Sequence, residues 1–257
     1  MHDMPLNQAV GLLELASPQA PQLLAVVAHG DERSEQPLLW QLGNALSELG
    51  YGVTVLDATM AETGDNPGLQ QLLDDPFCHS DTGGLGPAWN VLPAALGLQS
   101  LCGLGSRPQL SQQRLGQALQ SHGVVLLYAS VERLVQLLSD SELRPLLSVS
   151  CAKSSLLSSY LALKRLLRKA RLEPTILNMM KDAGSDSAAA GVAHALRECA
   201  RTFLAYEVNT IRIDPTQADA QVHADMRRLA TRLLEHALPL GGSGFGVSAF
   251  REIGRSH

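Results

Sequence analysis

The fold is decided by residues 23–57, which read LLAVVAHGDERSEQPLLWQLGNALSELGYGVTVLD. Residues 23–28 form an uninterrupted apolar run of strand length, which is typical of a strand buried on both faces of a parallel sheet. Residues 38–49 have helical spacing and are followed by Gly50, a residue favoured just after a helix end. Residues 52–57 are a second apolar run that ends on Asp57. Together these segments predict a right-handed βαβ unit.

Strand and helix patterns continue to alternate along the chain. Further strands are predicted at residues 88–92, 123–129, 146–150, 175–178 and 208–213, and further helices at 111–120, 153–171, 187–204 and 217–238. Such alternation predicts an α/β three-layer sandwich with a mostly parallel, doubly wound sheet. We expect this domain to span residues 22–240, with a recognition helix and linker in 1–21 and a flexible tail in 241–257.

Composition and charge exclude several classes of protein. The chain has 257 residues, 45% of them hydrophobic, so it has enough apolar side chains for a full core. A formal net charge of -5 argues against non-specific binding to nucleic acid. The four cysteines are too widely spaced for a zinc site, and charges interrupt every apolar run before the ~20 residues of a membrane span. We expect a cytoplasmic protein without a resident metal or a nucleic-acid partner.

Four segments match known motifs in the same order and spacing. NQAVGL at residues 7–12 resembles a D-Q-A-x-x-L motif, and ALSELGYGVTVLDA at 45–58 resembles a helix end followed by a strand, A-L-A-x-L-G-x-x-V-L-L-L-D-A. WNVLPAALG at 89–97 resembles v-L-P-a-x-x-G, and residues 154–180 resemble S-x-x-x-x-Y-x-x-x-K-x-L followed by v-x-N-M. Together they resemble the MinD/ParA family of deviant Walker-A ATPases, most nearly the flagellar-number regulators FlhG and FleN.

The resemblance implies a P-loop NTPase fold with a phosphate-binding loop between the first strand and the first helix. The family's loop reads K-G-G-V-G-K-T, where glycines let backbone N–H groups face phosphate and the lysines and threonine bind phosphate and Mg²⁺. Aligned without gaps, this chain has glutamate and glutamine at the positions of the P-loop lysine and threonine, in the run Gly30, Asp31, Glu32, Arg33, Ser34, Glu35 and Gln36. The three acidic side chains would repel a triphosphate, so we expect a degenerate loop.

Two other parts of the family's phosphoryl-transfer machinery are replaced. The D-x-D motif after the second strand is Asp57-Ala58-Thr59, so its second aspartate is Thr59. The strand that ends in an aspartate in the family carries Tyr128 at that place. By resemblance, Asp57 is a remnant of the Mg²⁺ site, and Asn178 corresponds to a residue that contacts adenine. The alternative is that Asp57 caps the next turn and that Asn178 is a turn residue after a strand.

The charged run at residues 31–35 also has a purely structural interpretation. It is a solvated loop that caps the following helix, with Ser34 as the candidate capping residue. His29, in the same connection, would then be a solvated side chain.

These observations predict a regulator of flagellar number or placement that has lost ATP hydrolysis and acts by binding proteins. By resemblance, Asn7, Gln8, Ala9 and Leu12 would dock on an FlhF-like GTPase or a flagellar basal-body component. ATP and Mg²⁺ would be cofactors only if the atypical loop worked. Two alternatives stay open: an active MinD/ParA-type ATPase with an atypical phosphate loop, and a degenerate paralogue that serves partitioning or polysaccharide secretion.

The last predicted helix carries Arg227, Arg228 and Arg232 beside a regular apolar stripe. Members of the family that the chain resembles use a C-terminal amphipathic helix to reach the membrane, which would make this protein weakly peripheral to the inner membrane. The favoured interpretation is that the stripe packs on the sheet, because it is long and regular.

Overall fold

The computed structural model describes residues 20–75, 89–103, 107–120, 122–150, 153–179, 186–215 and 217–241. Within these ranges the strands are β1 (Gln22–Ala28), β2 (Val53–Asp57), β3 (Trp89–Pro93), β4 (Val124–Ser130), β5 (Leu146–Val149), β6 (Thr175–Met179), β7 (Thr210–Ile213) and β8 (Leu238–Pro239). The helices are α1 (Glu32–Glu48), α2 (Leu69–Asp74), α3 (Ala95–Cys102), α4 (Pro108–Ala118), α5 (Val131–Leu138), α6 (Lys153–Arg165), α7 (Asp186–Leu204) and α8 (Asp219–Leu234).

The strands form one sheet in the order β3-β2-β4-β1-β5-β6-β7, and all neighbours in this order are parallel. Strand β8 pairs antiparallel with the first two residues of β1. The central strands β1, β2 and β4 are buried on both faces, whereas the outer strands β3 and β7 are partly exposed. This pattern confirms the prediction of a mostly parallel, doubly wound sheet from uninterrupted apolar runs.

Helices cover both faces of the sheet and enclose two separate apolar clusters. One face is covered by α1 and α8, whose buried side chains include Leu38, Leu42, Met226 and Leu229. The other face is covered by α2 to α7. The apolar stripe of α8 is therefore packed in the core, as predicted. Among the described residues no helix is long and apolar enough to span a membrane.

Local signals set several element ends. Helix α1 ends in a Schellman motif, in which Gly50 N–H donates to Ser47 O at 2.9 Å and Tyr51 N–H donates to Leu46 O at 3.2 Å. Gly50 has a φ of 91°, which suits glycine because it lacks a Cβ atom. The predicted helix end at Gly50 is confirmed.

Other predicted boundaries were wrong for physical reasons. Helix α1 begins at Glu32 and not at Leu38, because Pro37 is accommodated inside the helix. The predicted helix 153–171 ends as an α-helix at Arg165 and continues as a π-helical turn, Leu166–Ala170. Four short elements were not predicted because each offers too few residues to show a period: α2, α3, α5 and β8.

Candidate functional site

The connection between β1 and α1 consists of three residues, His29, Gly30 and Asp31. Backbone N–H groups of Ser34 and Glu35 both donate to Asp31 O at 3.0 Å, which closes the first turn of the helix. Asp31 therefore occupies the N-cap position, and the prediction that Ser34 caps the helix was wrong. The Ser34 hydroxyl lies one turn inside and donates back to Asp31 O at 3.1 Å.

The Glu35 side chain turns inward and fills the space beneath this connection. Its Oε1 atom accepts the backbone N–H of His29 at 3.2 Å and that of Asp31 at 3.1 Å. Its Oε2 atom accepts the hydroxyl of Tyr128 at 2.5 Å. The side chain is 0% exposed, so the prediction of a solvated charged loop was wrong at this residue.

His29 completes the surroundings of the carboxylate. Because a carbonyl oxygen only accepts hydrogen bonds, the 2.8 Å contact with Ser148 O places a proton on His29 Nε2, which also lies 3.3 Å from Glu35 Oε1. The Nδ1 atom lies 3.3 Å from the Ser158 hydroxyl. The imidazole is 3% exposed, so the expectation of a solvated histidine was wrong.

The arrangement is an anion site that the chain occupies with its own carboxylate. Backbone N–H groups at a strand-to-helix connection are the groups that bind phosphate in P-loop proteins. Here two such groups, from His29 and Asp31, are satisfied by Glu35. A P-loop also needs a Gly-x-x-x-x-Gly stretch to wrap around phosphate, whereas only three residues separate β1 from α1. The two N–H groups are therefore already satisfied within the chain.

Tyr128 lies beside Glu35, and Asp57 and Thr59 lie at the end of the neighbouring strand β2. Strands β2 and β4 align Asp57 with Tyr128, and Ala58 N–H donates to Tyr128 O at 2.9 Å. The Asp57 Oδ1 atom accepts both the backbone N–H and the hydroxyl of Thr59, at 2.8 and 2.6 Å. Asp57 thus caps the turn after β2, as one of the two interpretations of the sequence predicts. Glu35 and Tyr128 are in direct contact, and Asp57, which is paired with Tyr128 in the sheet, binds Thr59.

Asn178 lies in β6, two strands away from β1 in the sheet order, and does not join this group. It is 2% exposed, and its Oδ1 atom has no hydrogen-bond partner among the described residues. Since Asn178 lies within the strand, the alternative of a turn residue is wrong.

The remaining candidate residues are placed as follows. Gly30 has a φ of 92°, and Glu32, Arg33 and Gln36 belong to the first two turns of α1. The candidate partner-binding residues Asn7, Gln8, Ala9 and Leu12 lie outside the described residues. Among the described residues no group of three His, Cys, Asp or Glu side chains could hold a metal ion.

Sequence reasoning missed Ser148 and Ser158, which hold the His29 ring from β5 and α6. No local signal identifies them, because serines are common near strand ends and helix starts. The inward turn of Glu35 was also missed. Its signal was the presence of Tyr128, a hydrogen-bond donor, at the position where the resemblance expects an acid.

Solved structures with this architecture are P-loop proteins of the MinD/ParA type. The cobyrinic acid a,c-diamide synthase from Mycobacterium smegmatis with a bound ATP analog and magnesium matches at a TM-score of 0.56 and 16% identity, over 84% of this chain and 95% of the other. A plasmid partition protein from Borrelia burgdorferi matches at a TM-score of 0.52 and 10% identity, over 83% and 99%. MinD in the MinC:MinD complex from Aquifex aeolicus matches at 0.50 and 14%, over 85% and 98%.

At 10 to 16% identity these likenesses establish the fold alone. No protein-family model matches the chain, and no curated protein matches it either.

Proposed function

We propose that this chain is a MinD/ParA-type regulator, related to FlhG and FleN, that controls flagellar number or placement by binding proteins and does not hydrolyse ATP. The observation that carries the loss of hydrolysis is the Glu35 carboxylate, buried on the backbone N–H groups of His29 and Asp31. These groups would otherwise face a phosphate.

Two further observations support this reading of the site. Glu35 and Tyr128 stand where the resembled family has a lysine and an aspartate. The hydrogen bond between them gives each of the two side chains a partner. The Asp57 oxygen that faces Thr59 already accepts two hydrogen bonds. A metal ion would have to compete with both of these donors and would find no second aspartate at position 59. Phosphoryl transfer depends on positioned metal, cation and water, and all three lack their residues here.

The flagellar role rests on the resemblance of residues 7–12, 45–58, 89–97 and 154–180 to FlhG and FleN. By this resemblance the partner of the N-terminal segment is an FlhF-like GTPase. The family's motif has Asp where this chain has Asn7 and Arg where it has Leu13. We therefore propose docking on the GTPase without stimulation of its hydrolysis.

Calorimetric titration of the full chain with Mg-ATP tests the nucleotide part of the proposal. We expect no saturable site in the micromolar range and no Mg-dependent release of phosphate. An active MinD-type ATPase measured in parallel is the positive control. A one-site isotherm together with turnover would overturn the proposal and favour an active ATPase with an atypical loop.

Deletion of the gene in its source organism tests the flagellar part. Electron microscopy should show an altered number or placement of flagella, and the Glu35→Gln variant should restore the normal count because partner binding does not need nucleotide. An unchanged count, with a defect in partitioning or polysaccharide secretion, would instead identify a degenerate paralogue of another process.

A further inference from the structure

A second polar region lies between helix α7 and the outer strands β6 and β7. It is a cavity of about 600 Å³, and β7 lies three strands from β1, or about 14 Å across the sheet. Its sheet wall is formed by Asn178, Thr210 and Arg212. Its helix wall is formed by Gly191, His194 and Arg197 of α7. A helix that covers a sheet normally buries apolar side chains there, so a polar lining needs an explanation.

Two oxygen atoms on the sheet wall are buried without a donor. The Asn178 Oδ1 atom and the Thr210 Oγ1 atom have no hydrogen-bond partner among the described residues, and Asn178 is 2% exposed. A buried polar atom left without a partner costs about 1–3 kcal/mol. Such atoms are rare in folded proteins, and a bound ligand is one of the ways in which they are satisfied.

The same cavity is lined by cations from both walls. Arg197 lines the cavity from α7 and Arg212 from β7, and among the described residues no acidic side chain lines it. Within the described part of the chain neither arginine forms an ion pair, although six other pairs are present there. A guanidinium binds carboxylate and phosphate groups through two parallel hydrogen bonds, so two of them across one cavity favour an oxyanion.

Gly191 lines the cavity from α7 and is exposed. A Cβ atom added at Gly191 would meet no atom within 4 Å, whereas one added at Gly97, in α3, would meet Leu69 Cγ at 2.6 Å. Close helix packing therefore explains Gly97 but not Gly191. An alanine at position 191 would leave the cavity free, whereas a large side chain such as phenylalanine could fill it.

We propose that this cavity binds a small organic oxyanion, a carboxylate or a phosphate monoester, that also carries a hydroxyl or amino group. Arg197 and Arg212 hold the anionic group, and the ligand's O–H or N–H donates to Asn178 Oδ1. The proposal goes beyond the proposed function, because it needs neither the β1–α1 connection nor a nucleotide.

Titration of the full chain with glycerol 3-phosphate and, separately, with malate tests the proposal. The first compound carries a phosphate group and the second carries carboxylates, so the two titrations show which anionic group is bound. Saturable binding of either compound supports the proposal and identifies the anionic group. Arg197→Ala and Arg212→Ala should each weaken binding by about tenfold, the loss of one charged hydrogen bond. The control is Arg232→Ala on α8, on the other face of the sheet, which should leave the affinity unchanged.

Two further variants test the role of the cavity itself. Gly191→Phe should fill it and abolish binding, whereas Gly191→Ala should leave binding intact. Asn178→Leu should remove the preference for glycerol 3-phosphate over methyl phosphate, which lacks the hydroxyl groups. Absence of saturation with both anions, or binding that survives Gly191→Phe and both arginine variants, would overturn the proposal. Since no probe contains a nucleotide or Mg²⁺, this result is independent of the Mg-ATP titration.

Discussion

A carboxylate that is fully removed from water is stable only where donors surround it. Glu35 meets this condition through the main chain of the β1–α1 connection, the His29 ring and the Tyr128 hydroxyl. The two backbone N–H groups and the Tyr128 hydroxyl donate to it, and the His29 Nε2 atom lies 3.3 Å from Oε1. The Glu35 carboxylate thus satisfies backbone N–H groups of a strand-to-helix connection, where a phosphate binds in P-loop proteins.

Glu35→Ala should lower the free energy of unfolding by about 2–4 kcal/mol, because it leaves the N–H groups of His29 and Asp31 and the Tyr128 hydroxyl without their acceptor. Glu35→Gln keeps one carbonyl oxygen for the two N–H groups and should cost only about 1 kcal/mol. Urea unfolding followed by circular dichroism measures both. Glu48→Ala, on the exposed face of the same helix, is the control. Equal stability of the Glu35→Ala and Glu48→Ala variants would contradict the prediction.

Glu35→Lys should not produce an ATPase. The new lysine would meet two N–H donors at a connection of only three residues, and Thr59 and Tyr128 would remain in place of the family's aspartates. We expect no phosphate release above that of the unchanged chain, measured with Mg-ATP in excess. Turnover comparable to that of an active MinD-type ATPase would contradict the prediction, because it would show that Thr59 and Tyr128 do not prevent hydrolysis.

Sequence alone could locate the strand ends at which the site lies, but not the inward turn of Glu35. Its donor Tyr128 is 93 residues away and belongs to another strand. Local patterns report which residues an element buries, whereas this contact depends on the order of strands in the sheet. The same reason hid Ser148 and Ser158, which lie 119 and 129 residues from His29.

At the scale of elements, helix contacts decide which glycines are replaceable. The Cβ atom of an alanine at position 97 would lie 2.8 Å from the backbone nitrogen of Gln70 and 2.6 Å from Leu69 Cγ, where α3 packs against α2. Position 191, in α7, has open space on the same test. The two sites therefore allow the same substitution to be compared in two helices.

Gly97→Ala should destabilise the protein, since overpacking costs about 1–3 kcal/mol and exceeds the ~1 kcal/mol gain in helix propensity. Gly191→Ala should stabilise it by about 0.5–1 kcal/mol, because only the propensity term applies. Thermal unfolding of the two variants beside the unchanged chain measures the difference. If both variants raised the Tm, the prediction would be wrong, and the contact between α2 and α3 would have to adapt to the added methyl group.

Helix α1 shows why element boundaries were harder to predict than elements. The predicted helix began at residue 38, directly after Pro37, and proline removes one main-chain hydrogen bond inside a helix. The helix nevertheless begins at Glu32, and Asp31 O accepts from both Ser34 and Glu35. The buried Glu35 contacts anchor the turn that precedes the proline, and these contacts are tertiary.

At the scale of the whole molecule, the alternation of elements was sufficient to predict the layers and the parallel sheet. Uninterrupted apolar runs correspond to β1, β2 and β4, which are among the strands buried on both faces. Strand β8 was not predictable in this way, because it has two residues and depends on pairing with β1. It closes the domain: Leu240 N–H donates to Pro21 O at 2.8 Å.

Residues 1–16 precede Pro18 and Pro21 in the sequence. Prolines break a helix and favour extended chain before them, so the helical pattern of residues 7–16 is separated from β1. Deletion of residues 1–16 should leave the Tm within about 2 °C of the full chain's, because the sequence pattern predicts a separate recognition helix there. Binding to an FlhF-like GTPase, measured by pull-down, should be lost.

A short helix of about ten residues is marginal alone in water, so a recognition segment of this length gains order from the surface on which it docks. The full-length double variant Gln8→Ala, Leu12→Ala separates recognition from length, because it changes two side chains of the motif and keeps the segment. It should lose the GTPase in the same pull-down with an unchanged Tm. A large fall in Tm on truncation, with binding retained, would show instead that residues 1–16 belong to the folded core and that the match of residues 7–12 to the docking motif is coincidental.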